Sequence, residues 1–150
     1  MGYTTNFTGK FNITPSLLPE DNTFLTNFAS TRRVARNLGP EYGIEGEFCV
    51  EDGGRSDNTV INYNRPPSTQ PGLYCQWIPT EDGTALVWDG NEKFYDYVEW
   101  LRYLIDTILE PRGYILNGKC VWEGESSDDM GKILVDNNVI TVKKGRVVYD

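Results

Sequence analysis

LYCQWIPTEDGTALVWDGNEKFYDYVEWLRYLIDTILE, residues 73–110, decides the fold and holds three of the four tryptophans, Trp77, Trp88 and Trp100. Residues 73–78 are apolar on both faces, which predicts a central strand. Pro79-Thr80-Glu81-Asp82-Gly83 supplies turn chemistry, so residues 84–88 should return antiparallel. Asp89-Gly90-Asn91-Glu92 has the spacing of a capping box and predicts that a helix starts there. Along that helix Phe94, Tyr97, Val98, Leu101, Leu104, Ile105, Ile108 and Leu109 share one broad apolar face at 100° per residue, and Pro111 and Gly113 end it. Asp96, Trp100, Tyr103 and Thr107 line the reverse side. A wholly solvated helix side would seldom carry a Trp and a Tyr. Either the chain's own loop covers it, or a partner does, since these residue types concentrate binding energy.

Working outward toward the N-terminus, residues 3–13 alternate, with Tyr3, Thr5, Phe7, Phe11 and Ile13 on one side and Thr4, Asn6, Thr8 and Asn12 on the other. Period 2 predicts a half-buried strand, which Pro15 terminates. Pro19 suits the first turn of a helix, with Glu20 and Asp21 at its positive end. Phe24, Leu25, Phe28 and Ala29 form its apolar face, Arg32, Arg33 and Arg36 its solvated last turns, and Leu38-Gly39-Pro40 its end. Residues 41–58 are rich in glycine and acid, with only 47–50 strand-like and 51–57 an exposed turn. Residues 60–63 read as a short strand, and Arg65-Pro66-Pro67-Ser68 forces an extended crossing.

Toward the C-terminus the pattern is a meander. Asn117-Gly118 between residues 114–116 and 119–122 is a two-residue hairpin signal. Residues 131–135, 139–143 and 146–149 read as further short strands. The turn at 123–129 holds Glu123, Glu125, Asp128 and Asp129 with no base. One α+β domain over residues 1–150 follows: an antiparallel or mixed sheet with two main helices on one face. A chain of this length buries roughly 70% of its unfolded surface and needs no staple.

Composition bounds the chemistry. The chain has 14 basic and 22 acidic residues, a net charge of −8 and no histidine. Acidity counts against a direct grip on nucleic acid, which would need a local basic patch, and favours protein partners with a basic surface. Without histidine the commonest general base, the Ser-His and Cys-His pairs and most zinc sites are absent. Cys49, Cys75 and Cys120 are isolated and odd in number, as expected of reduced core residues rather than a disulfide framework or a thiolate metal site. No P-loop or dinucleotide fingerprint is present. The acids at 123–129 match no calcium-loop spacing, and no cofactor is expected. With no membrane-span or signal pattern, the reading is a soluble intracellular protein.

Pro66-Pro67-Ser68, Gln70-Pro71-Gly72-Leu73-Tyr74-Cys75-Gln76-Trp77, Glu81-Asp82-Gly83-Thr84, Trp88-Asp89-Gly90-Asn91-Glu92-Lys93-Phe94-Tyr95 and Trp122-Glu123-Gly124-Glu125-Ser126-Ser127-Asp128-Asp129 together resemble a family of uncharacterised small proteins of bacteriophages and mobile elements. The opening Met1-Gly2-Tyr3-Thr4-Thr5-Asn6-Phe7 matches too. A looser likeness links the element order to ferredoxin-like phage and plasmid proteins with added C-terminal strands. The resemblance implies a phage accessory protein that inhibits a host defence system, anti-CRISPR-like, by stoichiometric binding in the host cytoplasm. Glu51, Asp52, Asp57, Glu123, Glu125, Asp128 and Asp129 are the expected contacts, with Trp100 and Tyr103 as apolar anchors. A virion or assembly component is one alternative. A carboxylate-based metal-dependent enzyme or small-molecule binder is the other.

Overall fold

A computed structural model describes residues 3–50 and 58–149. Strand β1 (Asn6–Thr14) is followed by helix α1 (Pro19–Ser30), the short strands β2 (Ala35–Arg36) and β3 (Val60–Asn62), and β4 (Trp77–Pro79) and β5 (Ala85–Trp88). Helix α2 (Tyr97–Tyr103) continues through π-helical turns (Leu104–Leu109) and a 3₁₀ turn (Glu110–Arg112). Strands β6 (Ile115–Glu123), β7 (Met130–Asp136) and β8 (Val139–Lys144) complete the chain. Six strands form one sheet in the order β4-β5-β1-β6-β7-β8, and β2 and β3 form a second small sheet. Every pairing is antiparallel. The protein is therefore α+β, and no helix among the described residues is long and apolar enough to cross a membrane.

The sheet is built on β1 and β6, which pair in unbroken register from Asn6↔Glu123 to Thr14↔Ile115. Phe7, Phe11 and Ile13 from β1 and Leu116, Cys120 and Trp122 from β6 are buried on one face, while Thr8, Lys10, Lys119 and Val121 lie exposed on the other. That buried face meets Leu25 and Phe28 of α1 and the apolar residues of α2 in one cluster. Phe7 is its aromatic centre: Trp77, Trp88, Phe94 and Tyr97 all lie within 5.7 Å of it, centroid to centroid.

Here the structure corrects the expected hairpin. Asn117-Gly118 lies inside β6, because β1 offers a nine-residue template that outweighs the local turn preference. Gly118 is needed for close approach: a Cβ on it would lie 2.4 Å from the Lys10 carbonyl oxygen, and one on Gly9 would lie 2.2 Å from that of Lys119. The true tight turn is Asn137-Asn138, both at positive φ, between β7 and β8. Residues 146–149 add no strand.

Four other boundaries differ. Helix α1 stops at Ser30, where Thr31 turns extended and its hydroxyl donates back to the Asn27 carbonyl at 2.7 Å. Helix α2 begins at Tyr97 rather than after Asp89, whose carboxylate instead accepts from the Asn91 amide at 2.8 Å in a local turn. That competing bond removes the expected cap. The strand read at 73–78 shortens to β4 at the edge of the sheet, consistent with Pro79, which lacks the amide a central strand needs. Residues 47–50 form no strand: Glu47 and Phe48 sit in a turn closed by Cys49 N–H on the Gly46 carbonyl at 3.0 Å.

Gly118→Ala should lower stability by about 2–3 kcal/mol in urea denaturation. Gly90→Ala, whose Cβ would meet nothing within 4 Å, should cost only about 1 kcal/mol, for its positive φ. Equal losses would mean that backbone conformation, and not the approach of β1, requires Gly118.

Candidate functional site

The arginines after α1 are not a solvated helix end. After α1 the chain leaves helical geometry, with the Val34 amide donating to the Arg32 carbonyl at 2.9 Å in a tight turn centred on Arg33; the Arg33 side chain enters the interior and that of Arg32 reaches the surface. Arg33 is 2% exposed, and its guanidinium lies 4.1 Å above the centre of the Phe28 ring. It donates to the carbonyls of Cys49 (2.5 Å) and Glu47 and to the Gln70 side chain (3.3 Å). Gln70 in turn donates to the Glu47 carbonyl (2.7 Å) and the Tyr103 hydroxyl (3.1 Å). Burial pushes the Arg33 guanidinium down to about 10, so it stays charged at neutral pH. Arg36 is also buried, in β2.

Arg32 organises the outside. It donates to the Tyr63 carbonyl (2.9 Å) and the Tyr74 hydroxyl (2.6 Å), with its guanidinium 4.3 Å from the Tyr63 ring centre. Tyr74, 47% exposed, stands between two hollows. One, of about 520 Å³, lies between α1 and the turn at 89–93. The other, of about 410 Å³, is bounded by Pro66, Pro71, Gly72 and Leu73. Tyr74 and Lys93 line both, and Tyr95, 54% exposed, lines the second. The hollows thus make one groove of a size that takes a ligand or a peptide.

Its rim is strained. Lys93 and Asp96 both hold positive φ, at +62° and +57°, a conformation that costs a non-glycine residue about 1 kcal/mol or more. Asp89 and Glu92 line the first hollow and Asp96 the second, and Lys93 lines both. Behind Gly72 the Trp100 indole N–H is buried without an acceptor. The exposed groups are phenols, carboxylates, one ammonium, the Thr26 and Ser30 hydroxyls and the Asn91 amide, which bind by hydrogen bonds, ring contact and charge. The nearby Cys75 thiol is fully buried, and burial pushes it up to about 12.

The structure gathers Glu123, Glu125, Asp128 and Asp129 into the single turn between β6 and β7. Glu123, Glu125 and Asp128 are exposed. Asp129 faces inward, accepting from the Tyr3 hydroxyl (2.7 Å) and the Trp122 indole (2.9 Å), and these bonds hold its carboxyl below the usual range. Glu125 accepts from the Thr4 amide. No group of three or more potential ligands among the described residues gathers to hold a metal. Glu51, Asp52 and Asp57 lie outside the described residues.

Neither Trp100 nor Tyr103, the expected apolar anchors, is an exposed side chain. Trp100 is fully buried, packed edge-on against Phe28 at 5.8 Å, and Tyr103 is half-buried against the same ring at 6.0 Å. The chain itself, through Phe28 and residues 70–72, covers that side of α2. Only Glu99, Arg102, Asp106 and Glu110 form an open stripe. Sequence reasoning missed the groove, because nothing local marks Lys93 or Asp96 as left-handed. The one available signal is the pair of tyrosines, Tyr74 and Tyr95, flanking a strand and a turn.

No family model, no curated protein and no solved structure matches this chain.

Arg33→Met should cost about 4 kcal/mol by leaving buried carbonyls without donors, and Arg33→Lys should not restore it, because a point ammonium cannot span the fork. Urea denaturation and hydrogen exchange at residues 45–50 measure both. Asp129 has its carboxyl pKa depressed by folding. The stability it adds is present above the unfolded carboxyl range and is lost as pH falls through the folded value. Asp129→Asn should therefore flatten the acid limb of the stability curve between neutral pH and the depressed folded value; an unchanged limb counts against this role.

Proposed function

We propose that this protein acts by stoichiometric binding to another protein, with the groove around Tyr74 as its principal contact. The observation that carries this reading is the pair of exposed tyrosines on a strained rim, backed by the buried Arg33 clamp. Tyr and Arg concentrate binding energy at interfaces, and a preorganised surface loses little entropy on association. The carboxylates of Asp89, Glu92 and Asp96 at the groove, and of Glu123, Glu125 and Asp128 at the β6–β7 turn, favour a partner with a basic surface. In the setting that the phage-protein resemblance implies, that partner is a host defence protein and binding inhibits it.

We also read the fold as ferredoxin-like, with both helices on one face and β7 and β8 added beside β6. The support is the element order from β1 to β6 and the sheet order β4-β5-β1-β6, all antiparallel. Fold alone assigns no activity. A role in assembly is a second reading, favoured by β8, an edge strand whose Val139 and Val142 are exposed.

The test is capture from host lysate with the wild-type chain and with a Tyr74→Ala/Tyr95→Ala double variant, followed by mass measurement. A single partner in 1:1 complex should appear, with affinity at least roughly tenfold weaker in the variant. Equal capture of the same partner by both proteins would refute the groove assignment. Homo-oligomers alone would favour assembly.

A further inference from the structure

The sequence contains no dense run of lysines, yet the sheet register assembles a patch of them. Lys10 on β1 pairs directly with Lys119 on β6, and Lys132 on β7 pairs directly with Lys143 on β8. Lys119 stands opposite Leu134, two residues from Lys132, so the four form one diagonal row across four adjacent strands. All four are exposed, on the sheet face opposite the buried cluster. None is in an ion pair with a described residue.

Directly opposed like charges in a sheet are destabilising. A chain with 22 acidic residues nevertheless places lysine against lysine twice here. Acids on this face of the four strands occur only toward the ends, at Glu123 and Asp136, and beyond β1 Glu81 and Asp82 share a hollow with Lys10 at one end of the row. Thr8, Asn12, Asn117 and Thr141 lie beside the row on the same face and add hydrogen-bonding groups of the kind that contact phosphates. With strands about 4.8 Å apart, the row spans about 15 Å, a length over which duplex nucleic acid presents about nine phosphates.

We propose that this lysine row binds the phosphate backbone of duplex nucleic acid. Complementary charge selects an anionic occupant, and the face distinguishes among such occupants by what it lacks. No aromatic side chain lies on it in β1, β6, β7 or β8 to stack unpaired bases, as single-strand binding requires. Nor does it carry the Trp or Phe that anchors a peripheral protein in a lipid interface. Its contacts are to backbone, so binding is independent of base sequence. The row uses a different surface from the groove, and a partner that itself carries nucleic acid would be held at two places.

The test is fluorescence anisotropy of the full chain with a short labelled duplex of mixed sequence, titrated between 50 and 200 mM salt. Four phosphate contacts give a slope of log K against log salt of about −3.6, or about a 150-fold loss of affinity across that range. Lys119→Gln/Lys132→Gln should reduce the slope to about −1.8, and Lys119→Arg/Lys132→Arg should restore it. Thermal unfolding of the Gln variant should show a Tm equal to or above wild type, because repulsion has been relieved; this separates lost binding from lost folding. Absence of binding at 50 mM salt, a slope unaffected by the Gln pair, or equal affinity for anionic vesicles or for an acidic polypeptide would each overturn the proposal.

Discussion

The loop behind one wall of the groove depends on a buried cation. Taking a guanidinium out of water costs several kcal/mol unless its donors are met. Arg33 meets that cost with two backbone carbonyls, the Gln70 amide and the face of Phe28, and none of these partners is a carboxylate group. The bonds run outward to segments with little regular structure, at 45–50 and at Gln70, and so fix loops that lack ladders of their own. Gln70 extends the same network to Tyr103 on α2. The core positions Arg33, Arg33 positions Gln70, and the chain runs on from Gln70 into residues 71–74, one wall of the groove; the opposite turn is tied by Gln76, whose side-chain amide donates to the Glu92 carbonyl at 2.8 Å.

The neighbouring residue reverses the roles. Arg32 puts the same chemical group on the surface, where it stacks on Tyr63 and orients the Tyr74 hydroxyl. Two adjacent arginines thus link interior packing to the exposed aromatic surface, because the tight turn after α1 parts their side chains. An α1 continued through these positions would have placed them about 100° apart on a solvated face, and neither role would exist.

The parts legible in sequence are those where one periodic signal has no competitor. Alternation over residues 3–13 gives β1, and the apolar stripe through Leu101, Leu104, Ile105 and Ile108 gives the buried side of the second helix. Illegible parts are those where a local signal meets a stronger tertiary one. Asn117-Gly118 reads as a turn in isolation, but pairing with Lys10 and Phe11 makes it strand. Asp89-Gly90-Asn91-Glu92 reads as a cap, but the carboxylate serves its own turn. Trp100 needs cover, and Phe28, distant in sequence, supplies it. The groove and the lysine row are products of juxtaposition: their residues come from separate elements and share no spacing, so only register and packing reveal them.

The tie between Tyr3 and the β6–β7 turn bears on how the protein can be handled. The Tyr3 hydroxyl donates to Asp129 and accepts from the Ser126 amide, and Glu125 accepts from the Thr4 amide. Residues 3 and 4 are therefore stitched to the turn that adjoins the start of β1, where Asn6 pairs with Glu123. An affinity tag or fluorescent fusion joined just ahead of them would be held against the acidic turn and would mask it. At the other terminus the chain leaves β8 at that same end of the sheet, where Lys144 pairs with Gly131 and the Gly145 amide donates to the Met130 carbonyl at 2.8 Å, so an attachment after β8 departs from beside the turn as well.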